Sequence, residues 1–224
     1  PSTDRIVAAI HTEQIKEYPE VFVATKNGLV KKTATVEYLT KKRKSGILVG
    51  KLKEEDSFVS CRFIPKDANS IVLFSQRGQM VRFAPSDFSA IGRTTRGVKG
   101  IKLGADDFLA DAIVLAQGQE EGNSCILSVT EKGVIKKTAI RDLSITGRYL
   151  KGTLVHKPET GDVIARVCVS NGREKIVIGS NSSSIVIDNS ELPLTAKGEK
   201  TDKELPLRTG SLIDYMAPAI GGVE

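Results

Sequence analysis

The chain has no tryptophan, two methionines, two histidines, three cysteines and only 5% aromatic residues in 224 positions. Each shortage removes a class of function. No aromatic recurs beside the basic positions, so the stacking platforms that hold single-stranded nucleic acid are missing. His11 and His156 stand far apart and belong to no ligand-spaced cluster, which leaves metal sites and histidine-based triads without support; no cofactor is expected. Cys61, Cys125 and Cys168 are odd in number, lack C-x-x-C spacing and lie in apolar strand-like stretches, so they read as reduced core residues. No apolar run approaches the roughly eighteen residues that cross a bilayer, and the opening PSTDRIVAAIHTEQ lacks a basic n-region and a long h-region. A cytoplasmic protein without a membrane partner is expected. Helical periodicity is also nearly absent, because candidate stretches are short, interrupted by glycine and dominated by Val, Ile and Thr.

What the chain does have is repetition. An apolar run, a tight polar turn and a second strand recur as VFVATKNGLVKKT from Val21, IVLFSQRGQMVRF from Ile71, CILSVTEKGVIKKT from Cys125 and, degraded, KIVIGSNSSSIVID from Lys175. The turn residues Gly28, Gly78, Gly133 and Ser183 are 50, 55 and 50 positions apart, a period of blade-like repeats. After each of the first three hairpins comes a polar stretch ending in Gly46, Gly97 or Gly152, then a third strand-like piece (ILVGKL, VKGIKL, TLVHK). An acidic turn and a fourth apolar run follow (FVSCRF, FLADAIVL, VIARVCV). The fold class predicted is all-β, a propeller-like disc of about four four-stranded blades forming one unit over residues 1–224, with repeats at 21–63, 70–115, 124–169 and 175–218. Residues 5–10, RIVAAI, read as the strand of a preceding or closing blade.

Charge is uneven across the repeats. Lys and Arg stand ten against four Asp and Glu in residues 21–63, six against four in 70–115, eight against four in 124–169 and five against six in 175–218. In the three basic repeats the cations crowd the middle: Lys31, Lys32, Lys41, Lys42, Arg43 and Lys44; Arg82, Arg93, Arg96 and Lys99; Lys136, Lys137, Arg141, Arg148 and Lys151. Equivalent positions in a radial repeat fall on equivalent edges, so these cations are expected to line one rim as a band for a polyanion.

The segments ATKNGLVKKT (24–33) and GRTTRGVKGIKL (92–103) resemble the repeats of the C-terminal domain of bacterial type IIA topoisomerase A subunits, gyrase and topoisomerase IV, with the fourth repeat matching poorly. The resemblance implies a β-pinwheel whose blades exchange strands and whose basic rim bends or wraps duplex DNA. It also implies a nucleoid-associated location, a monomer when isolated, and as partners the ATPase B subunit together with the rest of the A subunit. The glycine-rich basic box of gyrase A subunits has no match, since KKRKSG at Lys41 and GRYLKG at Gly147 depart from it; either the blade that bears the box has been cut away or the chain is of the topoisomerase IV type, and the reading tilts slightly toward the latter.

No catalytic residue is expected. GRTTRGVK at 92–99 has Val98 where a phosphate loop needs Lys, and Tyr18, Tyr38, Tyr149 and Tyr215 lack the context of a DNA-cleaving tyrosine. The competing reading is a protein-interaction propeller, supported by acidic turns set apart from the basic stretches and by the near-neutral fourth repeat.

Overall fold

The computed structural model of the chain describes residues 6–9, 14–39, 46–201 and 203–219. They form fourteen strands in four antiparallel sheets, here called blades I to IV. Blade I contains β1 (Glu20–Thr25), β2 (Leu29–Ala34) and β3 (Phe58–Ile64); blade II contains β4 (Ala68–Ser75), β5 (Gln79–Phe83) and β7 (Leu109–Ala116). Blade III contains β8 (Cys125–Thr130), β9 (Ile135–Ala139) and β11 (Ile164–Ser170); blade IV contains β12 (Lys175–Ser180), β13 (Ser184–Asp188) and β14 (Ile213–Pro218). The remaining two strands are exchanged. β6 (Val98–Lys99), from the second repeat, pairs with β2 of blade I, and β10 (Thr153–Leu154), from the third, pairs with β5 of blade II. Blade III is completed more loosely, by single bridges from Glu204 to Val134 and from Leu194 to Lys137.

The third strands are therefore shorter than the sequence predicts, and ILVGKL forms none: residues 47–52 run along blade I, where the Lys51 amide meets the Thr95 carbonyl at 3.4 Å. A segment that crosses from one blade to its neighbour pairs only where the two edges meet. Four strands pair in blades I and II and three in III and IV. Of the expected strand at 5–10, Arg5 and Ile10 lie outside the described residues, and Ile6–Ala9 is not in a strand.

Each central hairpin reads as an unbroken apolar run because both of its faces are buried. On β4, Ile71 and Leu73 enter the core shared with blade I, where they meet Phe22 and Val30, whereas Val72 and Phe74 enter the core shared with blade III, beside Ile126 and Ile140. A third core, including Leu127, Ile135, Ile176 and Ile178, lies between III and IV. The last strand of each repeat is innermost, with β3 packed on β7, β7 on β11 and β11 on β14. These four strands and Ile6–Ala9 line a cavity of about 520 Å³.

Two side chains fix each of the first three hairpins. Thr25, Ser75 and Thr130 accept from the amides of Leu29, Gln79 and Val134 at 3.2, 3.2 and 3.0 Å, closing the turn. Asp56, Asp107 and Asp162 come from the acidic turns and accept both from the turn amides of Asn27, Arg77 and Lys132 and from the amide following each aspartate. The acidic turns thus hold hairpins. In blade IV the direction reverses, and Asn181 Oδ1 accepts from the Leu212 amide at 3.2 Å. Gly78 has φ +79, and a Cβ there would stand 1.6 Å from the His156 carbonyl oxygen, so the turn admits no side chain.

Candidate nucleic-acid interface

The cations expected on the second strands of the hairpins do not face solvent, contrary to the rim expected for them. Lys31 on β2 is 3% exposed and Lys136 on β9 is 1% exposed. Their alkyl stems cross the sheet edge, and each ammonium donates to main-chain carbonyls: Lys31 to Val49, Arg93 and Thr95, Lys136 to Glu199. Desolvation pushes both amines below the ordinary lysine value. Lys32 pairs with Glu20 at 3.1 Å and lies over the Phe88 ring. Arg82, 3% exposed, donates to Ser70 Oγ at 2.8 Å and the Leu143 carbonyl at 2.6 Å and pairs with Glu120. Half-buried Lys137 donates to the Asn189 carbonyl at 2.8 Å. The physical reason is common to all five: β2, β5 and β9 are roofed by the next repeat, so a cation there is desolvated and must find an oxygen.

The accessible cations lie on the connections that do the roofing. From the second repeat, residues 91–103 leave blade II for the outer edge of blade I, hooked by the Ile91 amide on the Lys32 carbonyl at 2.9 Å. They carry half-buried Arg93 and exposed Arg96, Lys99 and Lys102. From the third repeat, residues 140–154 reach blade II in the same way, with the Thr146 amide on the Arg82 carbonyl at 2.8 Å, and carry exposed Arg141 and Lys151 and half-buried Arg148. Gly97 lets the first connection lie flat, since a Cβ there would be 2.5 Å from the Val30 carbonyl oxygen. Because β6 and β10 are the strands farthest from the inner ring, Arg96, Lys99 and Lys151 sit at the outer edge of the blades. Lys41, Lys42, Arg43 and Lys44 lie outside the described residues.

The two connections are laced together. Arg148 donates to the Lys99 carbonyl at 2.5 Å, the Tyr149 amide to Gly100 at 2.7 Å, and the Lys102 amide to the Leu150 carbonyl at 2.9 Å. Lys99 Nζ donates to the Tyr149 hydroxyl at 3.0 Å and lies over its ring, and this cation holds the phenol below its ordinary value. Tyr149 is exposed and has φ 61. Lys102 is not among the cations expected from the sequence, although it stands close behind the basic GRTTRGVK, and Tyr149 is weighed from sequence only as a cleaving tyrosine. At the edge of blade III, the fourth repeat brings exposed Lys197, Lys200 and Lys203, interspersed with Glu199 and Glu204. Among the described residues no group of three His, Cys, Asp or Glu is placed to hold a metal ion.

Comparison with known proteins agrees with this geometry. The profile of the family described as "DNA gyrase C-terminal domain, beta-propeller" matches residues 19–65, 69–116 and 126–153, more than half of the chain. Among curated proteins, the DNA gyrase A subunit of Helicobacter pylori strain J99 is 30% identical over 82% of this chain and 22% of its own length, and that of Buchnera aphidicola is 33% identical over 83% and 21%. The chain thus spans about a fifth of these relatives. Among solved structures, the C-terminal domain of DNA topoisomerase IV superposes with TM-score 0.80 at 20% identity, covering 95% of this chain and 65% of that one. A DNA gyrase A C-terminal domain gives 0.81 at 19%, covering 93% and 68%. Four radially packed, strand-exchanging blades and these matches together show that the chain belongs to the DNA gyrase C-terminal domain family of type IIA topoisomerase A subunits, with its β-pinwheel fold.

Proposed function

We propose that the chain binds duplex DNA along the outer edges of its blades and bends it, with little sequence preference, as the DNA-handling part of a type IIA topoisomerase A subunit. The observation that carries the reading is the run of Arg93, Arg96, Lys99, Lys102, Arg148 and Lys151 on two adjoining, laced connections at the rim. Cations in such a line follow a phosphate backbone, gain affinity by releasing counterions, and offset a bending cost of about 1 to 6 kcal/mol for a site of roughly 20 to 30 base pairs. Phosphate contacts position a duplex without reading it. In this reading DNA cleavage and ATP use belong to other regions and to the B subunit of the parent enzyme, at the nucleoid. The partner-scaffold alternative is weakened, because the aspartates of the acidic turns are committed to hairpin amides.

The departure of KKRKSG and GRYLKG from the gyrase box supports steering of the duplex, as in the topoisomerase IV type, over a wrap that drives supercoiling. Fluorescence anisotropy with a duplex of several tens of base pairs tests the binding. With about six to ten phosphates engaged, affinity falls roughly 10³- to 10⁵-fold between about 50 and 200 mM salt. A flat salt profile refutes the rim. Relaxation of closed circular DNA on the bound chain by a type I topoisomerase separates the two types: no change in linking number is expected, and a shift proportional to bound protein would assign the wrapping kind.

A further inference from the structure

The connection that carries Arg93 and Arg96 has an anchor that never reaches the surface. Lys31 Nζ donates to the Arg93 carbonyl at 2.5 Å, the Thr95 carbonyl at 3.4 Å and the Val49 carbonyl at 2.7 Å, so one ammonium gathers two carbonyls of the same rim turn from a hairpin some sixty residues earlier. The turn is tightened by the Thr95 hydroxyl on the Gly92 carbonyl at 2.6 Å. The arrangement recurs. Lys136, three residues beyond its turn glycine as Lys31 is beyond Gly28, donates to the Glu199 carbonyl at 2.5 Å in the connection from the fourth repeat. Blade II has Val81 at this place, and in the connection above it Tyr149 lies in the left-handed region at φ 61. If the position only filled space, an apolar side chain such as Val81 would serve without the cost of desolvating an ammonium. A cation whose hydrogen bonds end on main-chain carbonyls instead fixes the path of a loop that buries little of its own.

We propose that Lys31 and Lys136 are positioning residues of the DNA-binding rim: each holds the connection donated by the following repeat, so that the cations on it stand ready along the phosphates. The proposal rests on the rim reading above. A loop already ordered spares the entropy of ordering its long side chains when the duplex arrives.

Lys31→Met in the whole chain is the test, because methionine keeps the buried stem and removes the donors. Thermal melting reports folding, amide hydrogen exchange at residues 92–97 reports the loop, and anisotropy against salt reports the phosphates engaged. The expected result is a folded variant with faster exchange at 92–97 and weaker duplex binding. Its slope of log affinity against log salt should be shallower by about 2, matching Arg93→Ala combined with Arg96→Ala, so that its deficit narrows roughly tenfold from about 50 to 200 mM salt. In the Arg93→Ala, Arg96→Ala background, Lys31→Met should add nothing. A folded variant with unchanged exchange and slope overturns the proposal, as does a loss of affinity at constant slope, which marks a merely structural role. If Lys31→Met does not fold, Lys31→Gln is read in the same way and Lys136→Met by faster exchange at residues 197–200 with a shallower salt slope, and failure of all three to fold makes these lysines stability elements and overturns it too. Absence of salt-dependent binding by the unaltered chain refutes the rim reading itself; normal binding by that chain with no effect of Lys31→Met refutes only the positioning role.

Discussion

Arg62 on β3 reaches Asp111 on β7 at 2.9 Å, tying the inner strand of blade I to that of blade II. Asp111 is 2% exposed and also accepts from the amides of Ala112 at 2.8 Å and Val167 at 3.3 Å, so one carboxylate joins three blades. Burial nevertheless raises its pKa, outweighing Arg62, so desolvation costs as much as the pairing returns. Asp111→Ala, which strands two amides and the guanidinium, should cost about 2 to 4 kcal/mol in urea unfolding, toward the low end because Arg62 is one-third exposed. Asp111→Leu with Arg62→Met should recover most of that loss; a double variant as unstable as the single one would show that the pair contributes net stability.

Gly78→Val should destabilise far more than Ser183→Val. The first forces a β-branched side chain into φ +79 and against the His156 carbonyl, whereas Ser183 is half-buried and is not a positive-φ residue. Losses of more than about 3 kcal/mol and less than about 1 kcal/mol are expected. Thermal melts in the same buffer check the order, and equal shifts would refute the backbone argument or the alignment of the fourth turn with the second.

Just before each clasping aspartate the backbone is left-handed: Glu55 has φ 64, Asp106 has φ 55 and Gly161 has φ 77. Only the third site has the residue that adopts this freely. Asp106→Gly should therefore stabilise, or at least not destabilise, by up to about 1 kcal/mol, whereas Asp107→Ala next to it should cost about 1 to 3 kcal/mol by freeing two amides. Chemical denaturation of the pair measures both signs.

His156 packs with Nδ1 2.9 Å from Ser128 Oγ, and burial, with help from Lys136, lowers its pKa to about 4. The folded chain thus resists a proton that the unfolded chain accepts near pH 6.5. Stability contributed by the neutral ring is intact above about pH 6.5 and is lost as pH falls toward 4, by about 3 kcal/mol at most. His156→Gln should flatten this part of the pH profile of unfolding free energy. Parallel profiles for both proteins would exclude His156 as its source.

Charge reversal should separate the two kinds of cation. Glutamate at Arg96, Lys99 and Lys151 should leave the melt within a few degrees and weaken duplex binding by roughly tenfold or more, whereas Arg82→Glu or Lys136→Glu should unfold the chain, since each places a carboxylate among carbonyls. Circular dichroism and anisotropy on the same samples report the two effects.

The hairpins are legible in the sequence because their signals are local: apolar runs such as IVLF and a glycine at each of the first three turns. Exchange is not, because β6 and β10 are two residues long and their partner edge is set by packing between repeats. Buried lysines are illegible for a related reason. Lys31 and Lys136 find their oxygens on segments some sixty residues away, so charge alone suggests a surface position. The acidic turns were visible as a recurrence, yet their role depends on amides about thirty residues upstream.

Strand exchange makes the unit of sequence differ from the unit of inheritance. A cut at a repeat boundary, near residue 67 or 120, takes a hairpin away from the connection that roofs it, and leaves Lys31 or Arg82 facing water where a neighbour's carbonyls had been. Because each roof lies some sixty residues beyond its hairpin, a crossover near residue 67 or 120 parts one hairpin from its roof, whereas one at 84–90 parts both the blade I and the blade II hairpins from theirs and should be tolerated least. A hairpin and its roof together span more than one repeat, so successive modules overlap along the chain.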